Sequence, residues 1–570
     1  MTMKKRILSL IMVFCLCITA CSKISIPTNS NAAFENYTHC LFQQEVASNT
    51  INLHYSLQNP EKHGIIDAPI TLGSYDFDPI TSLSMLENWE TGLKKFSYNH
   101  LSKKNQLTYD ILSHYFTSLK VSANYYLYQE PLTPVTGIHA QLPILLAEYS
   151  FTCREDADTY LALLQTLPDY FASLSSFEQL KSEKGLFMSD ELADEVIEQC
   201  HDFVSMGEDN YLLSTFEERI KHLEASSELD SAPYIQKNRD CIFSHVVPAY
   251  EALALSISSL KGTGGKTKGL CHLLEGKDYY KHLVAQETGS SRSIAKLQTL
   301  IRTQISSDLS ACQKIILENP DIPEETYAVT ESPERILQNL QGKIRTAFPN
   351  SAEVNVNIKY VPHALEEHLS PAFYLIPAID NYTDNTIYIN SAYGLNDIDL
   401  FTTLAHEGYP GHLYQTTYFA NTNPDPIRSL LSCTGYVEGW ATYAEMSSYY
   451  ISNLEKPHAT LLQKNNSLIL GLYALADIGI HHDGWLLDET IKHFQSYGIT
   501  DEAIIQEIYR HISGNPANYL TYYIGYLEIL ELKKERISKE GNSFSQKAFH
   551  QKLLEIGPAP FEIIRKHYDK

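Results

Sequence analysis

Apolar residues recur three and four positions apart through most of the chain from about Asn36 to Ile316, the period of a helix that buries one face. Asp156–Leu174 (DADTYLALLQTLPDYFASL) and Ser189–Met206 both show it. Turn-forming runs such as Gly262-Thr263-Gly264-Gly265 and Glu318-Asn319-Pro320 read as loops between such segments. Between Glu353 and Ala392 the period changes. Glu353–Val361 (EVNVNIKYV) alternates as a strand does, and Phe373–Pro377 and Thr386–Asn390 are two further strand candidates. From Ile398 to the end the helical period returns. The pattern predicts a mainly α protein with a small β-sheet just before the helix that carries His406.

The first residues belong to a different problem. Lys4, Lys5 and Arg6 precede an apolar stretch, Ile7–Ile18, too short to span a membrane and of the length of a signal-peptide core. Ile18-Thr19-Ala20-Cys21 resembles the lipobox of bacterial lipoproteins, in which the cysteine becomes the lipidated first residue. The plain alternative is an ordinary signal peptide with an incidental cysteine. The expectation is therefore a signal peptide over residues 1–20, lipidation at Cys21, and a flexible tether over 21–33, rich in Ser and Asn with Pro27. No later segment reads as a membrane span. This places the protein at the cell membrane, lipid-anchored, on the extracytoplasmic face.

Charge narrows the partners. The 570-residue chain carries a net −24, which becomes −27 once residues 1–20 and their three cations are gone. Such a surface is repelled by nucleic acid and by anionic headgroups, so no nucleic-acid partner is expected and the lipid alone holds the membrane. With 44% apolar residues the chain can bury a large core. Of ten cysteines, seven remain beyond Cys21. They are scattered and odd in number, with no CxxC spacing, which favours neither a disulfide framework nor a thiolate zinc site.

The chemistry concentrates in Thr403–Gln415 (TLAHEGYPGHLYQ). A histidine followed at once by a glutamate, with a second histidine nearby, is the zincin arrangement: two imidazoles hold zinc and the adjacent carboxylate deprotonates water. Here the histidines are six apart rather than four. At about 100° per residue, a six-residue step turns His412 about 240° from His406, so an unbroken helix would point them to different sides. Pro410 lacks the N–H that would bond to the His406 carbonyl, and its ring clashes there. The helix must break or bulge, and a wide bulge brings His412 round. The bland alternative is a pair of core or capping histidines in an interrupted helix. Glu438, in Tyr436–Glu445 (YVEGWATYAE), lies 26 residues after His412, a distance suited to a return helix. It completes a His₂Glu set with an open fourth position. Glu445, two turns further along the same face, could orient a ligand or could be a surface glutamate.

HEGYPGH and VEGWATYAE resemble the two signatures of the bacterial domain of unknown function 885, HEGxPGH followed by EGWxxYxE. Lys268–Glu287, Ala476–Trp485 and Pro516–Leu532 are also similar to family stretches, so the resemblance spans nearly the whole mature chain. That family is similar to the gluzincin metallopeptidases. The resemblance implies a zincin-like architecture with helical lobes around a deep cleft, an N-terminal helical part at 34–316, and a catalytic part at 317–570, together one continuous domain. It implies one Zn²⁺ per chain on His406, His412 and Glu438, with Glu407 as the base. Tyr522, in a family-like Y-x-x-G segment, is the first candidate donor to a developing oxyanion, with Tyr523 as the alternative. His481 in DIGIHH is a candidate donor to the substrate carbonyl. Arg510 is a candidate partner for a substrate carboxylate or a structural ion-pair partner. The sequence departs from the pattern at Leu413, where the family often has another histidine, which favours His412 as the ligand. It departs again at Pro516-Ala517-Asn518, where the family has PGQ, so that the expected substrate contact at Asn518 is made by a shorter amide.

These residues imply a zinc peptidase acting on short peptides, with strand Thr386–Asn390 available to pair with substrate backbone. Two other readings share the sequence. One is a zinc amidase or deacylase on amino-acid conjugates or cell-wall fragments. The other is a binding lipoprotein on a zincin scaffold, which would have no need of Glu407.

Overall fold

Helix after helix buries one apolar face, and the only sheet among the described residues has three strands. The computed structural model describes residues 30–569 apart from 76–78, 135, 228, 265–267, 323–330, 362–365, 367–368, 395–396 and 432. The signal segment and Cys21 lie outside the described residues. A helix begins at Asn31, inside the stretch read as tether, because the Ser30 hydroxyl accepts a hydrogen bond from the Ala33 N–H and caps it.

Two sequence expectations need correction. Asp156–Leu174 is not one helix but two, Arg154–Gln165 and Leu167–Glu183. Pro168 cannot donate within a continuous helix and sits in the first turn of the second. Ser231–Leu260, read as no span, forms a helical run long and apolar enough by length and composition to cross a membrane. Its apolar residues, among them Ile242, Tyr250, Leu253 and Ile257, are buried in the protein's own core.

The strands are β1 (Asn355–Tyr360), β2 (Ala372–Leu375) and β3 (Asp384–Ile389). Their order is β1-β3-β2, with β1 parallel and β2 antiparallel to β3. The period of two sends neighbouring side chains to opposite faces. Ile387 and Ile389 enter one hydrophobic core, together with Leu404, Trp440 and Tyr523. Tyr388 enters another, with Tyr160, Phe216 and Tyr250, and stacks on Phe373 at 4.9 Å. The sheet thus stands between the two cores. With β3 paired on both sides, Thr386–Asn390 has no free edge for a substrate; β2 is the edge strand on that side.

Seven helices frame the region around His406: α1 (Gly276–Thr288), α2 (Ile294–Glu318), α3 (Asp397–Glu407), α4 (His412–Asn421), α5 (Thr434–Ser448), α6 (Lys456–Ile478) and α7 (Asn518–Glu540). α5 and α7 touch backbone to backbone. A Cβ on Gly439 would lie 2.3 Å from the Gly525 carbonyl carbon, and one on Gly525 would lie 2.0 Å from the Gly435 carbonyl oxygen. The glycine of the EGW segment and that of the Y-x-x-G segment face each other. α1, α6 and the start of α7 meet at Asp477, which is fully buried and accepts from the Tyr280 hydroxyl (2.6 Å) and the Ala517 N–H (3.1 Å).

The glycine contact predicts that Gly525→Ala costs about 1–3 kcal/mol through overpacking. A urea midpoint unchanged from the wild type would mean that α5 and α7 part freely. Asp477 makes a second prediction. Burial pushes its pKa up to about 7, although the Tyr280 and Ala517 donors pull it down. An unfolded aspartate titrates near ~3.9. Between those values only the folded chain holds the proton, so this group's contribution is present below about pH 4 and is lost as pH rises toward 7. Asp477→Asn removes the titration. Its melting temperature relative to wild type should climb from pH 5 to pH 8, and a flat difference would refute the assignment.

Candidate metal centre

The two histidines are brought together by a break, not a bulge. α3 ends at Glu407, residues 408–411 form a turn containing the cis Tyr409–Pro410 bond, and α4 starts at His412. The turn is so tight that a Cβ on Gly411 would lie 1.8 Å from the His406 carbonyl oxygen, which only glycine tolerates. The Trp440 indole donates to the Pro410 carbonyl at 2.8 Å and ties the turn to α5. The imidazoles of His406 and His412 end with ring centroids 4.8 Å apart.

Glu438 on α5 completes the group. Its Oε2 lies 3.3 Å from His412 Nε2 and 3.7 Å from His406 Nε2, and one ligand atom from each residue falls within 4.8 Å of the others. A tetrahedral ion with bonds of about 2.1 Å holds its ligands roughly 3.4 Å apart, close to the two distances from Glu438 to the imidazoles. The stronger sign is what these atoms lack. Both ring nitrogens of His412 and Oε2 of Glu438 are buried without an aligned hydrogen-bond partner. Buried polar atoms left so are costly, and a cation held there would take Glu438 Oε2 and one of the two His412 nitrogens.

Electrostatics agree. Burial alone would raise the Glu438 pKa, but the two imidazoles overcome it and hold the group well below the carboxylate range. Burial pushes the His412 pKa down, with Glu438 opposing. Burial also opposes the His406 imidazolium, yet Glu438, Glu445 and Glu407 outweigh it and push its pKa up to about 10. The carboxylates make the cluster favour positive charge, which a divalent cation supplies with both imidazoles neutral.

The other predicted residues divide. Glu445 accepts from His406 Nδ1 at 3.0 Å, leaving Nε2 facing the cluster, and is itself held by the Asn466 amide of α6 at 3.0 Å. Glu407 is buried beside the ligands, and its Oε2 accepts the Tyr374 N–H of edge strand β2 at 2.8 Å. The Tyr522 ring lies 6.4 Å from that of His406. Tyr523 points the other way and is fully buried against Gly471 of α6 and Ile305 of α2, so it is not the donor. His481 is also excluded as a donor to substrate. Its Nδ1 accepts the Leu270 N–H (3.2 Å), so its proton sits on Nε2, which donates to the Ile512 carbonyl (2.8 Å). It is structural, stacked on Tyr280. Arg510 is the structural alternative: it pairs with Glu195 on the surface. Asn518 opens α7 after Ala517, whose φ is +65°. Sequence reasoning missed Asn466 and the Tyr374 N–H, because one is an unremarkable helical amide and the other a main-chain group.

The bacterial family of unknown function DUF885 matches residues 81–567, and the chain belongs to that family. No curated protein matches it. Two solved structures share the fold. One is a "putative lipoprotein" from Colwellia psychrerythraea, 18% identical with a TM-score of 0.81, covering 95% of this chain and 98% of its own. The other, from Shewanella oneidensis, is a "putative lipoprotein of unknown function", also 18% identical, with a TM-score of 0.64 and coverage of 94% and 99%.

The geometry predicts that stripped protein takes up about one zinc per chain. His412→Ala should abolish uptake, and Glu445→Gln should weaken it about 10–100-fold by releasing His406. Competition against a chromogenic chelator measures both. Full zinc in His412→Ala would remove that residue from the centre.

Proposed function

We propose that this DUF885 protein is a zinc-dependent hydrolase of zincin-like architecture that cleaves short peptides outside the cytoplasmic membrane. One observation carries the reading: the orphaned His412 and Glu438 atoms gather with His406 beside a buried carboxylate, Glu407, that is not among the ligand atoms. A protein that only bound a ligand would have no use for a base there. The lipobox at Cys21 and a tether would hold the protein at the extracytoplasmic face of the membrane, a reading that the lipoprotein description of both structural neighbours supports.

Zinc on His406, His412 and Glu438 would supply Lewis acidity to the attacking water and to the substrate carbonyl. The chain's own groups do the rest. Glu407 is fixed through Oε2 by the Tyr374 N–H, which leaves its other oxygen to accept a proton from the water. The water oxygen bonds to the carbonyl carbon, the carbon–nitrogen bond breaks, and Glu407 passes the proton to the leaving amine. Glu445 keeps His406 in one tautomer and one orientation. Tyr522 donates to the oxygen that gains charge as the carbon becomes tetrahedral.

Glu407→Gln tests this reading directly. Glutamine keeps the shape and accepts the Tyr374 N–H through its carbonyl oxygen, so fold and zinc content should be unchanged. Loss of a general base should lower kcat by about 10²–10⁴-fold on any peptide the wild type cleaves. Undiminished turnover would place the base elsewhere. Zinc lost together with activity would make Glu407 a ligand.

A further inference from the structure

Between the residues that follow strand β2 and helix α4 opens a cleft with apolar walls from Ile376, Ile379, Phe419 and Leu430, lined also by several polar side chains, of which Gln415 and Arg428 are the largest buried ones. Both of its sides continue elements that build the centre. Ile376 is two residues beyond Tyr374, about 6.6 Å along an extended chain. Gln415 is three residues beyond His412 on α4, about 4.5 Å along the helix. A peptide residue spans about 3.3–3.6 Å, so the cleft opens within about one or two residues of the bond that Glu407 would act on.

Gln415 and Arg428 are buried and short of partners. Arg428 is 5% exposed and Gln415 2%. Arg428 Nη2 donates to the carbonyls of Ile556 (2.7 Å) and Pro558 (2.9 Å), and the guanidinium lies 5.0 Å over the Phe419 ring. Its Nε has no aligned acceptor, and the Gln415 amide nitrogen has only the Tyr436 hydroxyl beside it, poorly aligned. Among the described residues no carboxylate lies within ion-pair distance of Arg428. Asp425, three residues earlier, is occupied by the Thr38 hydroxyl at 2.6 Å and the Ile427 N–H at 3.2 Å. Asp425 attracts Arg428 only at longer range, and a buried guanidinium with no carboxylate in contact is expensive and pairs best with one.

The geometry points to a subsite for the free C-terminal carboxylate of the substrate, held by Arg428 and Gln415 with an apolar side chain against Phe419 and Ile376. The enzyme would then work from the C-terminal end of a peptide and release one or two residues. The inference rests on the hydrolase reading above, but its binding step can be tested apart from it. Arg510, the candidate that the sequence offered for this role, is bound to Glu195 instead.

The test uses zinc-loaded Glu407→Gln protein and a random library of N-acetylated pentapeptides made both as free acids and as C-terminal amides. Peptides retained on ultrafiltration are counted by mass spectrometry. Free acids should be retained about tenfold or more over amides, as a charge-assisted contact requires, with apolar terminal residues enriched. Arg428→Gln in the same background should erase the preference. Because Arg428 also holds the Ile556 and Pro558 carbonyls, Gln415→Glu is a second variant that leaves those bonds alone, and it should favour amides. Equal retention of the two forms, retention of neither, or a preference that survives both variants overturns the subsite. If acids are retained but wild-type protein cleaves nothing, the subsite stands and the hydrolase reading falls. If wild type cleaves acids and amides alike at internal bonds, the hydrolase reading stands and the subsite falls.

Discussion

Two imidazoles six residues apart cannot meet on a regular helix, and the architecture of the site follows from how the chain resolves that constraint. A step of about 240° has to be cancelled within residues 408–411. The solution is to end α3 immediately after Glu407, reverse through a turn with no room for a side chain at Gly411, and start α4 with His412 as its first residue. His412 heads its helix and is buried with its ring edge-on to that of His406. The cost is a stretch of backbone without helical hydrogen bonds in a buried place. Trp440 offsets part of it by donating to the Pro410 carbonyl, and the Tyr414 N–H bonds across the turn to the Gly408 carbonyl at 3.2 Å.

The turn makes α5 indispensable. α5 brings Trp440 to brace the turn, Glu438 to complete the ligand set and Glu445 to orient His406, all within eight residues of one helix. Residues 438, 440 and 445 cannot all face one way, so α5 must be surrounded. The glycine contact with α7 achieves this on one side, letting the α7 backbone approach closely enough to place the Tyr522 ring beside His406. α6 closes another, where Asn466 grips Glu445. The mostly helical architecture is therefore a cage around a single helix.

What was legible in the sequence was whatever chemistry or covalent geometry fixes locally. The chemistry-bearing histidines and glutamates, the break implied by Pro410 and Gly411, the three strands and the helical period needed no tertiary knowledge. The form of the break did, since bulge and turn satisfy the same local rule. Residues read by motif alone fared according to which way a helix faces. Tyr522 and Tyr523 are neighbours in one motif, yet one borders His406 and the other is sealed against α6. His481 looked chemical because histidine usually does, but two main-chain groups occupy its nitrogens. Strand Thr386–Asn390 was found and given the wrong role, because pairing order is a long-range property. Arg428 and Gln415 left no sequence signal, since their meaning lies in what they fail to touch.

That failure has an energetic reading. A buried donor or acceptor without a partner costs about 1–3 kcal/mol, so a chain free to choose replaces it with an apolar residue of similar volume. Unpartnered buried atoms occur at several isolated places in this protein, such as Tyr160 and Asn238. Around α4 they gather instead: Tyr409 just before it, His412 and Gln415 within it, and Arg428 and Glu438 on the segments that come after it. These groups differ in chemistry, two imidazole nitrogens and a carboxylate at one end, a guanidinium and an amide at the other. A single packing error would not leave both kinds along one helix. On the proposed reading a cation takes the Glu438 carboxylate and one His412 nitrogen, and a substrate carboxylate takes the guanidinium and the amide. The clustering of these atoms along α4, cation-seeking at one end and anion-seeking at the other, is the feature on which both proposals rest.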